Sequence, residues 1–121
     1  MNLCWVTIKV LDMGKSLNFY QDVLGLTLNN RVEIGGGNEL AFLNTGITQL
    51  ELTYSPDTKI VDLGQDISIG LEVDSVEKWI DNLKEKKIEV ISEIIEPNPF
   101  TKFFFIKDPN GLTIQLVENI D

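Results

Sequence analysis

Glu51 sits in the stretch QLELTY (residues 49–54), flanked by Leu50 and Leu52. In a strand that alternation turns the leucines toward a core and the carboxylate to the other face. Held out of water, such a carboxylate could abstract a proton alpha to a carbonyl, with Gln115 or Ser68 donating to the oxyanion that develops. Trp5 offers different chemistry. Its indole face attracts a planar or cationic ligand, a contact worth roughly 0.5 to 2 kcal/mol depending on desolvation, and Glu51 supplies a matching negative charge. Both residues also have plain structural roles open to them: Trp5 can fill a cavity, and Glu51 can pair with Lys9 on a neighbouring strand.

The chain contains no histidine. Zn²⁺, Ni²⁺ or Fe²⁺ would therefore lack the nitrogen ligands they commonly use, whereas a hard cation such as Mg²⁺ could settle only weakly, on Glu51, Gln115 and waters. No cofactor and no functional metal are expected. The single cysteine, Cys4, cannot form an internal disulfide, and its place in an apolar run predicts a small buried side chain.

Nineteen acidic residues against ten basic ones give a net charge of −9. That field repels phosphate backbones, which makes nucleic acid a poor partner, and it favours cations; with the Trp5 face beside it, a cationic or aromatic small molecule is the expected partner. No apolar run approaches the roughly 20 residues that a membrane helix needs, and no basic region followed by a long apolar stretch opens the sequence. A cytoplasmic protein without a membrane partner is expected.

The elements that must position these groups repeat. LCWVTIKV (3–10) reads as a strand, Asp12 as an N-cap, and Met13 to Leu24 as a helix closed by Gly25. LTLNNRVEI, ELAFLN and TQLELTY follow as three strands, with Gly35-Gly36-Gly37 as a flexible turn that could flap over a cleft. After a polar connector the order begins again. ISIGLEVD (67–74) is a strand, Ser75 caps a helix to about Lys86, and IEVISEI (88–94), FTKFFFIK and LTIQLVE supply three more strands. Val10 falls on Val73, Leu17 on Ile80 and Leu52 on Leu116, an offset of 63 or 64 throughout.

The expectation is a single α+β domain of tandem βαβββ modules, repeat 1 at about 3–54 and repeat 2 at about 66–118, forming two curved mixed sheets around a cleft. One face of each sheet packs on its helix. The other carries Trp5, Thr7 and Lys9; Gln49, Glu51 and Thr53; Ser68, Gly70 and Glu72; and Thr113, Gln115 and Val117. Alternation sends Phe104 to one side and both Phe103 and Phe105 to the other. Predicted ligand contacts are Trp5, Thr7, Glu51, Thr53, Ser68, Gln115, Phe103 and Phe105, with Glu51 as the one candidate catalytic group.

VLDMGKSLNFYQDVLGLTL (10–28) is similar to the strand, helix and FY-x-x-x-LG segment of the vicinal oxygen chelate superfamily, the glyoxalase, bleomycin-resistance and extradiol-dioxygenase fold. KDPNGLTIQLVE (107–118) resembles that family's DP-(D/N)-G turn and last strand. Metal-dependent members place histidine early in the first strand of each half and a carboxylate on the last strand of each half. By that resemblance the histidine positions fall on Trp5 and Ser68, and the carboxylate positions on Glu51 and Gln115. Only Glu51 remains a good ligand. The resemblance implies a homodimer that binds a small organic molecule without a metal, as the bleomycin-resistance proteins sequester a drug. The alternative is an enzyme of the lactoylglutathione lyase, isomerase or dioxygenase kind, using Glu51 as base or a weakly held divalent ion.

Overall fold

Asp12 and Ser75 each end a strand-to-helix connection with extended backbone, and each side chain accepts the amide proton three residues on, from Lys15 at 3.0 Å and from Lys78 at 3.3 Å. Those caps satisfy amides that a helix start leaves without intrahelical partners. The computed structural model that contains them describes residues 1–119. Its chain divides into two units, Met1–Leu63 and a second beginning at Gly64. Each holds one four-stranded mixed sheet and one helical segment, so the fold is α+β.

The first unit runs β1 (Trp5–Lys9), α1 (Met13–Leu17), a π-helical turn (Asn18–Val23), β2 (Thr27–Glu33), β3 (Glu39–Asn44) and β4 (Gln49–Tyr54). The helix predicted over Met13 to Leu24 thus changes pitch after Leu17. The amide of Leu24 donates to the carbonyl of Phe19 five residues back, at 3.0 Å. In that wider turn Phe19 and Tyr20, consecutive in sequence, are both buried, with their rings edge to face at 5.0 Å. Gly25, at φ +78°, then closes the segment in the left-handed conformation that glycine adopts without Cβ strain. Sheet order is β1-β4-β3-β2, with β1 parallel to β4 and the other pairs antiparallel. Ile8, Val10, Leu50 and Leu52 are buried together with Met13, Leu17 and Tyr20 of the helical segment. Far from being loosely held, Gly35 to Gly37 form a bonded turn. Ile34 donates to the carbonyl of Asn38 at 2.9 Å, and both the amide and the side chain of Asn38 donate to the carbonyl of Gly35.

In the second unit β5 (Ser68–Glu72), α2 (Val76–Glu85), β6 (Ile95–Asn98), β7 (Thr101–Lys107) and β8 (Thr113–Asn119) give a sheet of order β5-β8-β7-β6. Glu118 at the end of β8 reinforces the start of α2, its Oε1 accepting from the Val76 amide at 2.9 Å. Val76 and Leu83 face the core, with Phe104, Ile106, Ile114 and Leu116 of the sheet. The turn Asp108-Pro109-Asn110-Gly111 is held by the buried Asp108 carboxylate, whose Oδ1 accepts from the amides of Asn110 and Leu112, each at 2.8 Å. A structural role for this motif matches its chemistry.

Two expectations fail. IEVISEI (88–94) is not a strand. Ile91 donates to the carbonyl of Phe105 at 2.9 Å, but the Phe105 amide is taken by the Ser92 hydroxyl at 2.9 Å rather than by a backbone carbonyl. The side chain therefore interrupts the ladder, which starts only at Ile95 opposite Phe103. Cys4 is exposed, not buried, because β1 begins one residue later and Cys4 lies on the approach to it. Among the described residues no helix is long and apolar enough to cross a membrane.

Candidate functional site

On the face of the first sheet turned away from its helix, the parallel register sets Trp5 beside Gln49, Thr7 beside Glu51 and Lys9 beside Thr53. Glu51 is only 9% exposed although it lies on the open face. Its Oε1 accepts the Thr7 hydroxyl proton at an Oγ1 to Oε1 distance of 2.5 Å. Thr7, not Lys9, is therefore the neighbour that partners the carboxylate: it stands directly opposite in the register, whereas Lys9 is two residues further along. A buried carboxylate needs such a donor, because an unpaired one would carry its full desolvation cost.

Trp5 neither fills a cavity nor stands free. It is 51% exposed, and its ring meets Phe42 of β3 edge to face, centroids 5.8 Å apart at 78°. Phe42 is the β3 register partner of Glu51, so indole, phenyl ring and carboxylate share one stretch of sheet. Gln49, between Trp5 and Asn44 in the register, accepts from the side chain of Asn29 at 3.0 Å. Further along the same face a pocket of about 280 Å³ opens, with Lys9, Leu40, Thr53, Tyr54, Ser55 and Thr58 in its lining. Thr53 contributes there mainly as wall, since its hydroxyl points to the carbonyl of Ile8 at 3.4 Å.

Ser68, Gln115, Phe103 and Phe105 lie together on the corresponding face of the second sheet. Ser68 pairs with Thr113, and Gly70 with Gln115. A Cβ on Gly70 would come within 3.3 Å of the Gln115 amide oxygen, so the Gln115 side chain lies close over Gly70 of β5. Phe103 and Phe105 are half-buried and stacked edge to face at 5.6 Å, while Phe104 is fully buried on the other side. Lys107 donates to Thr113 at 3.0 Å, and Asn119 donates to Glu72 at 2.9 Å.

Of the four positions that the sequence resemblance assigns to an ion, Trp5 and Glu51 stand in the first sheet, and Ser68 and Gln115 in the second. Their donors are an indole, a carboxylate, a hydroxyl and a carboxamide. Indole offers no lone pair to a metal, and only one of the four groups is anionic, so the set does not fit a nitrogen-ligated transition ion. Among the described residues no group of three or more His, Cys, Asp or Glu side chains is arranged to hold a metal.

Sequence reading missed Phe42 and Leu40. Both alternate onto the open face in ELAFLN (39–44), and counting back from Glu51 through the β3–β4 turn would have placed Phe42 beside it. The pocket beside Lys9 had no such signal, because part of its wall comes from the connector at Ser55 and Thr58.

Two curated relatives and one solved structure set the chain among known proteins. It is 34% identical over 125 residues to a lactoylglutathione lyase of Neisseria meningitidis serogroup A, covering 98% of this chain and 91% of the relative. It is 30% identical over 123 residues to the mitochondrial methylmalonyl-CoA epimerase of Homo sapiens, covering 92% of this chain and 70% of the relative. The trypanothione-dependent glyoxalase I of Leishmania major superposes with a TM-score of 0.83 at 23% identity, over 98% of this chain and 86% of the other, a likeness of fold. The model of the Glyoxalase/Bleomycin resistance protein/Dioxygenase superfamily matches residues 2–116, and the chain belongs to that superfamily.

Proposed function

We propose that the protein is an enzyme that moves a proton at a carbon alpha to a carbonyl, with Glu51 as the base. The observation that carries this reading is a carboxylate only 9% exposed on the open face of a sheet, oriented by the Thr7 hydroxyl. The relatives' names, a lyase of lactoylglutathione and an epimerase of methylmalonyl-CoA, support an enzyme over the sequestering protein that the sequence first suggested.

With Oε1 held by Thr7, Oε2 takes the proton. The C–H electron pair passes into the carbonyl, whose oxygen gains the negative charge, and Lys9 on the same face supplies the cation to balance it. Glu51 then returns the proton on the face from which it was taken, to the neighbouring carbon. Trp5 and Phe42 beside the carboxylate offer the substrate an aromatic contact, and solvent can exchange the proton that Glu51 holds. The protein acts on a small molecule as a homodimer in this reading, and sedimentation equilibrium checks the assembly.

The test is exchange of the substrate's alpha proton for deuterium in D₂O, followed by NMR, with the hemithioacetal of methylglyoxal and glutathione and with methylmalonyl-CoA. Wild-type protein should catalyse exchange in at least one, and Glu51→Gln should lower the rate by about 10²-fold or more, the usual scale of general base catalysis. Exchange unaffected by Glu51→Gln, or none above background with either compound, sinks the reading. Strong stimulation by added Ni²⁺, Zn²⁺ or Mn²⁺ would contradict the donor set assigned above.

A further inference from the structure

Arg31 is the chain's one arginine; the other nine cationic side chains are lysines. It lies on the helix side of the first sheet. Arg31 pairs with Ala41 and Ala41 with Leu52, both fully buried on that side, whereas Glu51 and its partner Phe42 face the other way. Glu39, two residues before Ala41, and Tyr54, two after Leu52, share the helix-side face at the strand ends. Arg31 reaches Glu39 diagonally, Nε to Oε1 at 2.8 Å. With the turn from Asp12 to Gly14, these three residues line a pocket of about 260 Å³ between the start of α1 and the sheet.

We infer that this pocket binds a small α-amino acid, with its carboxylate on Arg31 and its ammonium group between Asp12 and Glu39. The bond to Glu39 uses the Arg31 Nε and leaves the Nη1 and Nη2 pair for a second carboxylate, met end-on by two parallel hydrogen bonds. Lysine would serve a plain surface pair, but it has no such fork. Asp12 and Glu39 each spend one oxygen within the fold, Asp12 Oδ1 on the Lys15 amide and Glu39 Oε1 on Arg31, so Oδ2 and Oε2 can take an ammonium. Charge decides the ligand class. An anion alone would meet two carboxylates beside one guanidinium, and a cation alone would meet the guanidinium; a zwitterion sets each end against its opposite. The volume lies below the roughly 300–1,000 Å³ of pockets for drug-sized molecules, which suits a ligand of this size. Gly14 keeps one wall open: a Cβ there would meet only Asp12 Oδ1, at 3.4 Å, so a longer side chain has room to enter the pocket. Glu39 and Tyr54, at the strand ends, also border the pocket beside Lys9, whereas Asp12, Gly14 and Arg31 border only this one of the two. The site uses neither Glu51 nor Thr7, which lie on the opposite face of the same sheet.

Amide NMR of the full chain, titrated in turn with L-alanine, propionate and ethylamine, tests it. L-alanine should give saturable shifts centred on Asp12, Gly14, Arg31 and Glu39. Propionate lacks the ammonium and ethylamine the carboxylate, and each should bind about threefold or more weaker, the scale of a solvent-exposed charge pair. Arg31→Lys retains the charge and a partner for Glu39 but not the fork, and should weaken L-alanine by a similar factor. Asp12→Ser keeps a helix cap and removes the charge, and should bring L-alanine toward propionate. Gly14→Leu should abolish binding, since a side chain in the first helical turn leans back over Asp12; where that protein does not fold, the two milder variants decide. Glu51→Gln should leave L-alanine binding intact. Shifts centred elsewhere, no saturation, propionate or ethylamine binding as tightly as L-alanine, undiminished binding to Arg31→Lys or Asp12→Ser, or loss of binding in Glu51→Gln would overturn the inference.

Discussion

Thr7 donates its hydroxyl proton to Glu51 across the parallel β1–β4 boundary, while the equivalent step in the second sheet sets Gly70 beneath Gln115. Carboxylate and carboxamide therefore occupy matching register positions with opposite needs. The buried charge requires a donor from the adjacent strand; the neutral amide requires only room, and glycine provides it.

If the Thr7 bond is what makes a buried Glu51 tolerable, its loss should cost more than neutralising the acid. Thr7→Val keeps the shape but removes the donor, and should lower stability by about 1–3 kcal/mol. Glu51→Gln should cost less, because the amide oxygen still accepts from Thr7. Adding Thr7→Val to a Glu51→Leu background should cost almost nothing further. Urea denaturation of these four variants and the wild type checks this, and an unchanged midpoint for Thr7→Val would show that the bond carries no stability.

Local chemistry made much of this legible from sequence. Asp12 and Ser75 cap as expected because the cap bond spans only three residues, and the face of Glu51 followed from alternation alone. The partner of Glu51 did not follow, since Thr7 is 44 residues away and a parallel register is set by the whole sheet. IEVISEI carries a strand's composition, yet one serine hydroxyl outcompetes the ladder at Phe105. Pitch changes such as that at Asn18–Val23 leave no periodic mark over six residues.

Lys87 is a stabilisation target. Its φ of 59° is the left-handed conformation that ends α2, where Ile88 donates back to the carbonyl of Leu83 at 2.9 Å. A side chain there is strained, and glycine is the residue that usually fills this position. Lys87→Gly should raise stability by about 0.5–1 kcal/mol, the relieved strain exceeding the added freedom of the unfolded chain. Lys87→Ala, which keeps the Cβ, should not. Thermal melts of both variants separate backbone strain from lost charge.

Glu77 and Lys102 predict weak stability changes at both ends of the pH range. The Glu77 carboxyl is held below its usual range, first by its own backbone amide in the opening turn of α2 and then by the Lys102 ammonium at 3.2 Å; Lys102 is raised in turn by Glu77. A lowered acid contributes stability that is present above its ordinary value of about 4.3 and is lost as pH falls through the folded one. A raised lysine contributes below about 10.4 and loses that contribution as pH climbs through its folded value. Lys102→Met should move the Glu77 midpoint part of the way up, leaving the backbone's share, as followed by carboxyl ¹³C NMR. Salt should shrink the shift, since both groups meet solvent. A midpoint indifferent to the substitution would remove Lys102 as a cause.

Ser92 holds the place where the second sheet departs from an unbroken ladder. Its Oγ accepts from the Phe105 amide and donates to the carbonyl of Glu93, both at 2.9 Å. Ser92→Ala leaves that amide without its acceptor, which should cost about 1–3 kcal/mol. Ser92→Thr keeps the hydroxyl and should cost less. Hydrogen exchange locates the effect: in Ser92→Ala the Phe105 amide should lose protection far more than Phe104, whose strand pairs with β8 on the other side. Equal loss of protection along the whole of β7 would mean that Ser92 supports the strand generally and not that one bond.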